Sequence, residues 1–239
     1  MNKERLILEL KKINIGLSEE KIELLERFCS FLIEENKKTN LTAITSIEDI
    51  YLKHIYDSLT IIKAIDLKKH KTLLDIGSGA GLPGIILKIV YPHLMITLID
   101  SNNKKTNFLN KIIQELSLTN IEVINIRAEE LSKEKRESIE LVTARAVANL
   151  RVLSELAIPF VKIGGYFIAM KSDVDEELKE SIEIIDELGG AVKEVIKFKL
   201  PVENSIRSLV IIEKETKTPL TFPRPYDKII KIPLKKKNK

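Results

Sequence analysis

The 239-residue sequence holds one cysteine, Cys29, and three scattered histidines, His54, His70 and His93. A single cysteine excludes a disulfide framework and a cysteine-based metal cluster, and it suits a reducing cytoplasm. The histidines show no ligand spacing. No apolar run approaches the roughly 18 residues of a membrane span. The charge-interrupted start, MNKERLILELKK, leads us to expect no secretory signal. What is present is an ordinary globular composition, 44% hydrophobic and 31% charged. At about 150 residues per domain, the length predicts one large domain or one domain with an appendage.

Charge is unevenly placed. Residues 222–239 hold seven Lys or Arg against one acid, or +6, which leaves 32 basic and 34 acidic residues in the remainder. A near-neutral body thus carries a basic tail, a pattern that attracts an anionic polymer when it is more than a solvated terminus.

The first 65 or so residues read as helical. Ile22, Leu25, Phe28, Cys29, Leu32 and Ile33 line one helical face. Ser18 suits the N-cap, with Glu19 and Glu20 in the first turn. Ser46 and Asp49 start a second helix reaching about Ile65, and the polar segment 36–42 reads as the loop between them. After Lys71 short apolar runs at 72–76, 95–100, 121–127, 140–144 and 166–171 alternate with helices near 82–91, 103–116, 149–161 and 174–188. This alternation predicts a parallel sheet covered on both faces. Two further runs, 191–200 and 207–214, are joined by too short a link for a helix and should pair antiparallel. The expected fold is α/β, with five parallel strands and a terminal hairpin. Its parts are an N-terminal helical region (1–66), a core (67–216) and a basic tail (217–239).

The first strand runs into Asp75-Ile76-Gly77-Ser78-Gly79-Ala80-Gly81-Leu82-Pro83-Gly84. Glycines there let the chain turn tightly and approach a ligand. No Gly-Lys-Ser/Thr follows, so a P-loop is excluded. Gly79, Gly81 and Gly84 match GxGxxG, but the motif starts too far past the strand end for a dinucleotide site, and Asp75 would repel a pyrophosphate. S-adenosylmethionine has no phosphate; its ammonium and sulfonium suit a nearby carboxylate. Asp100 ends the second strand, where an acid accepts ribose hydroxyls in either cofactor class. The residues favour a methyltransferase and leave the dinucleotide reading open.

An ordered set of short segments then makes the chain recognisable. It comprises Asn36-Lys37 with Asn40-Leu41-Thr42-Ala43, Lys53-His54-Ile55-Tyr56-Asp57-Ser58-Leu59, the GSGAGLPG loop, and Asp100-Ser101 with Lys104-Lys105 and Phe108-Leu109. Arg127-Ala128-Glu129, Thr143-Ala144-Arg145-Ala146, Ala169-Met170-Lys171 and Arg207-Ser208-Leu209-Val210 complete it. Over nearly its whole length the chain resembles the RsmG (GidB) family of bacterial 16S ribosomal RNA guanine-N7 methyltransferases. The resemblance implies a Rossmann-like class I S-adenosylmethionine-dependent methyltransferase fold. It also implies action on 16S ribosomal RNA or the 30S particle; a cytoplasmic monomer is expected. Gly77, Leu82, Ala128, Glu129 and Arg145 match the family's cofactor contacts, beside Asp75, Gly79, Gly81 and Asp100 from the loop argument. Leu82 stands where the family often has Phe, and the glycine usual near the family's C terminus is missing.

Guanine N7 has a free lone pair in the neutral base, so methylation there needs no general base, and the sequence offers no dyad or triad. Positioning and electrostatics should carry the reaction, with Arg127, Arg145 and Arg207 as the candidates. Arg207, opening the last strand, is expected on the substrate side of the hairpin, away from Arg145. Lys171 and Lys53 are candidate RNA contacts, and His54 is expected to be a hydrogen-bonded core residue. Two other readings stay open: an RNA-binding protein with a vestigial methyltransferase fold, and a small-molecule methyltransferase.

Overall fold

The computed structural model describes residues 1–145, 147–231 and 234. Ala146, Pro233 and the tail lysines Lys235, Lys236, Lys237 and Lys239 lie outside them. Helix α1 (Lys3–Lys12) is capped by Asn2, and α2 (Glu19–Thr39) by Ser18, whose Oγ accepts from the Lys21 N–H. The α2 stripe of Leu25, Phe28, Cys29 and Leu32 is buried. Contrary to the expected loop, Asn36 to Thr39 continue the helix. Lys37 and Lys38 suit its C-terminal dipole, and Asn40 closes it at a left-handed φ of 49°. The buried Asn36 amide clamps the exit, accepting from the Thr42 N–H and donating to the Thr42 carbonyl, both at 2.9 Å.

The segment expected as one helix to Ile65 is broken into α3 (Ile47–Asp49), a π-helical stretch (Ile50–Tyr56), α4 (Asp57–Leu59) and a 3-10 turn (Thr60–Lys63). The Asp57 N–H bonds the Leu52 and His54 carbonyls. The Lys53 carbonyl between them accepts a side chain from the sheet instead, so the wide register is built into the site.

The sheet comprises β1 (Thr72–Ile76), β2 (Met95–Asp100), β3 (Ile121–Asn125), β4 (Ile139–Arg145), β5 (Val161–Lys171), β6 (Gly190–Lys199) and β7 (Ile206–Lys214). Their order is β3-β2-β1-β4-β5-β7-β6. The first five are parallel and β7 is antiparallel to both β5 and β6, so five parallel strands and a terminal hairpin are borne out. Strand β5 begins five residues before the expected start, because Val161 already pairs with Ile139 ahead of a bulge. Helices α5 (Gly84–Val90), α6 (Asn103–Glu115), α7 (Ala128–Leu131), α8 (Leu150–Ala157), α9 (Asp175–Glu187) and α10 (Tyr226–Lys231) complete the chain.

One face of the sheet packs with the N-terminal helices into a shared core that includes Phe28, Ile55, Ile85, Leu98 and Phe108. All seven residues of α5 are buried, since it lies beneath α2 and α4. Burying each large apolar side chain here contributes about 1.5–3 kcal/mol. The other face packs on α8 and α9 through Leu153, Phe160, Phe167 and Ile185. Strand order reverses between β1 and β4, which opens the crevice outside their C-terminal ends where ligands bind in open α/β sheets.

Lys214, fully buried at the end of β7, ties this frame to the chain that follows. Its ammonium donates to the Ile158 and Leu188 carbonyls and the Thr218 hydroxyl, and Glu137 lies at 3.5 Å. Burial pulls its pKa down to about 8, against the attraction of Glu137. The unfolded chain keeps this proton to about pH 10.5, whereas the folded protein releases it above about 8. Between those values the unfolded state binds more protons, so this group makes stability rise with pH. We expect the wild-type urea midpoint to gain on that of Lys214→Met between pH 7.5 and 9.5. A constant difference would show that Lys214 titrates normally.

Candidate active site

The turn after β1 is shaped by what a side chain would hit. Gly77 has a φ of +66°, and a Cβ there would lie 2.7 Å from Val147 Cγ2. At Gly81 (φ +84°) a Cβ would lie 2.5 Å from Ile85 Cγ1, so this glycine lets α5 pack under the loop. The Gly77 and Ser78 N–H groups bond the Ile99 carbonyl.

Asp75 lies beneath this turn and is fully buried. Its Oδ2 accepts from the Gly84 N–H at 3.0 Å, and its Oδ1 has no partner among the described residues. Burial pushes the carboxyl up to about 7, although the Gly84 N–H and nearby Arg145 favour its charged form. Asp75 lines neither of the cavities described below; it braces the loop and leaves one oxygen unsatisfied beneath it. Asp100 holds the neighbouring turns, with Oδ2 accepting from the Gly79 N–H and Oδ1 from the Asn102 N–H.

A cavity of about 510 Å³ opens between the loop, the N-terminal helices and the hairpin. Lys53, Lys105, Lys171, Arg145 and Arg207 line it, with Asp57 among them. The Asp57 side chain is 8% exposed and is shared by two arginines. Arg145 Nη1 donates to Asp57 Oδ2 at 3.0 Å and to the Lys53 carbonyl at 2.7 Å. Arg207 Nε donates to Asp57 Oδ1 at 3.2 Å. Arg207 is therefore not on a separate side of the hairpin: antiparallel pairing of β7 with β5 brings its start to the end of β4. Nη2 of each guanidinium makes no hydrogen bond among the described residues. Leu82 lines this cavity as well.

A second cavity of about 360 Å³ adjoins the first, sharing Gly77 and Lys105. Asp100, Arg127, Ala128, Glu129 and Tyr226 line it. Burial pushes the Glu129 carboxyl up from its ordinary value. Arg127 lies over the Tyr226 ring, 4.7 Å from its centroid. Arg127, the third candidate, therefore lies apart from Arg145 and Arg207, because β3 ends on the far side of β2 from β4.

The candidate lysines are engaged. Lys171 Nζ donates to the Ala148 carbonyl and pairs with Glu177, which accepts from the Leu150 N–H at the start of α8. Lys53 pairs with Glu203 and Asp49, which raise its pKa. His54 is buried as expected, with Nε2 3.0 Å from Thr42 Oγ1. Burial, then Arg145, pulls its pKa down to about 4, so it is neutral near pH 7. Sequence reasoning gave no role to Asp57 or Tyr226. An acid inside the largely apolar, buried stretch Ile55-Tyr56-Asp57-Ser58-Leu59 was the available signal for the first; nothing local marked the second.

The family model for "rRNA small subunit methyltransferase G" (GidB) matches residues 21–207. The chain is 45% identical over 227 residues to a Ribosomal RNA small subunit methyltransferase G from Bacillus licheniformis, covering 94% of this chain and 95% of that one. It is 47% identical over 226 residues to the protein of the same name from Macrococcus caseolyticus, again covering 94% and 95%. Among solved structures, Aeropyrum pernix fibrillarin with natively bound S-adenosyl-L-methionine superposes with a TM-score of 0.51 at 17% identity, covering 65% of this chain and 72% of that one. This last likeness concerns the fold alone. The full-length agreement with the curated relatives, on a sheet and crevice of this kind, establishes that the chain belongs to the ribosomal RNA small subunit methyltransferase G family.

Proposed function

We propose that this protein transfers a methyl group from S-adenosylmethionine to N7 of a guanine in 16S ribosomal RNA, acting as a cytoplasmic monomer on the RNA or the small-subunit particle. No helix among the described residues is long and apolar enough to cross a membrane. The observation that carries the reading is the pair of adjoining cavities at the strand-order reversal, one ending at Asp100, Ala128 and Glu129, the other at the Asp57-linked arginines.

The residues suit this cofactor. A Cβ at Gly77 would run into Val147, so the turn presents bare backbone, and Asp75 Oδ1 beneath it is a buried acceptor with no partner among the described residues. Asp100, Ala128 and Glu129 would hold the adenosine end; Gly77, Leu82 and Arg145 would border the methionine end. Gly79 and Gly81 shape the loop. When bound, S-adenosylmethionine supplies an electrophilic methyl group that neutral guanine N7 accepts without prior loss of a proton. Arg145, which lines the cleft, is fixed at Asp57 and at the Lys53 carbonyl through Nη1. Arg207 offers its Nη2 to guanine O6 or a phosphate; bonding N7 would occupy the reacting lone pair. Lys53 and Lys171 line the RNA side, and their carboxylate partners hold them in place.

Incubation of small-subunit RNA with the protein and cofactor, then digestion and mass spectrometry, should reveal 7-methylguanosine. Gly77→Arg should abolish it with circular dichroism unchanged. Methylation of another base, or full activity in Gly77→Arg, would contradict the proposal.

Asp75 supplies a second prediction. A cation bound near a carboxyl whose pKa is raised to about 7 draws that pKa down, so cofactor binding at pH 7 should release up to roughly half a proton. Calorimetry in phosphate and in Tris should give different apparent enthalpies for the wild type and equal ones for Asp75→Asn. Equal enthalpies in the wild type would mean that Asp75 does not sense the cofactor.

A further inference from the structure

The chain after β7 does not leave the surface. Arg136 donates to the Thr218, Pro219 and Phe222 carbonyls. Arg224 grips the buried Glu155 carboxylate through Nε at 2.8 Å and Nη2 at 2.7 Å, and its own N–H bonds the same group. Phe222 and Ile229 are buried on either side of Tyr226. Tyr226 itself is 36% exposed, so the arm is fastened before and after a ring that it does not bury.

That ring lines the cavity that holds Asp100 and Ala128, backed by the Arg127 guanidinium. An aromatic ring braced by a planar cation at a crevice edge is a stacking surface for a flat heterocycle. Asp100, the ribose-side acid, lies on the same cavity, so the heterocycle within reach of the ring is the adenine rather than the target guanine.

We infer that Tyr226, held by Arg127 and by the arm from Thr218 to Lys231, forms a wall of the adenine subsite, so that the C-terminal segment is part of the cofactor site. The inference rests on the cofactor reading above. It gives Arg127 a role at the adenine end, remote from the Asp57 arginines. It also gives the segment a function that does not depend on its charge.

The sequence contains no tryptophan, so Tyr226→Trp introduces a lone indole reporter at this wall. Its emission should change saturably as S-adenosylmethionine is added, with the dissociation constant found by calorimetry. Tyr226→Ala should weaken both S-adenosylmethionine and 5′-methylthioadenosine, which lacks the amino-acid end, by the same factor of about 5–50. Tyr226→Phe should stay within about 2-fold of wild type, because the ring and not the hydroxyl stacks. Calorimetric binding by Tyr226→Trp without any emission change, or wild-type affinity in Tyr226→Ala, would overturn this inference alone. Absence of S-adenosylmethionine binding by the wild type would overturn the cofactor reading and this inference with it.

Discussion

Asp57 is the point on which the site depends. Its carboxylate receives a guanidinium from the end of β4 and another from the start of β7, while its own helix belongs to the N-terminal region. Three parts of the chain distant in sequence are thus fixed by one charged group. Like charges on the two arginines would push them apart in a partly buried cleft; the carboxylate between them lets them stand together with a net charge of +1. A buried arrangement of this kind is weak evidence for stability, since desolvation offsets much of the attraction. Its effect here is geometric: two forked cations are held on one carboxylate, and Nη2 of each makes no hydrogen bond among the described residues. Removing the carboxylate would leave uncompensated buried charge, a loss of about 3–5 kcal/mol.

The glycine loop is built on a different constraint, which is space. Gly77 and Gly81 are where they are because Val147, Ile85 and Leu109 occupy the positions a side chain would need. Asp75 and Asp100 use backbone N–H groups to set the loop, so the acids and glycines form one unit. The N-terminal helices contribute to both sides. Through Phe28 and Ile55 they complete the core under α5, and through Asp57 and the Lys53 carbonyl they orient Arg145.

Much of this was legible in the sequence. Apolar runs such as 72–76 and 95–100 marked a parallel sheet because strands covered on both faces need little polar alternation. The glycine loop and Asp100 were readable because their chemistry is local. The end of α2 was not: Asn36 to Thr39 look like a polar loop, and only the Asn36 clamp on Thr42 and the pairing of Glu35 with Lys38 and Lys111 show why they stay helical. The π-helical break before Asp57 answers to Arg145, which lies 88 residues away. Arg207 was separated from Arg145 in the reading of the sequence because a hairpin's position in a sheet is a non-local fact. Tyr226 was missed for the same reason, since its partner Arg127 follows β3 at the opposite end of the sheet order from the hairpin.

The central claim is that Asp57 acts through both guanidinia as one unit. A double-mutant cycle on methyl transfer to small-subunit RNA tests it most directly, with Asp57→Asn, Arg207→Ala and the double variant compared at saturating cofactor. The account predicts that each single change lowers transfer by about 10–150-fold and that the double variant loses little beyond the worse single. Losses that multiply across the double variant would show two independent residues and contradict the shared carboxylate as the organising element of the site.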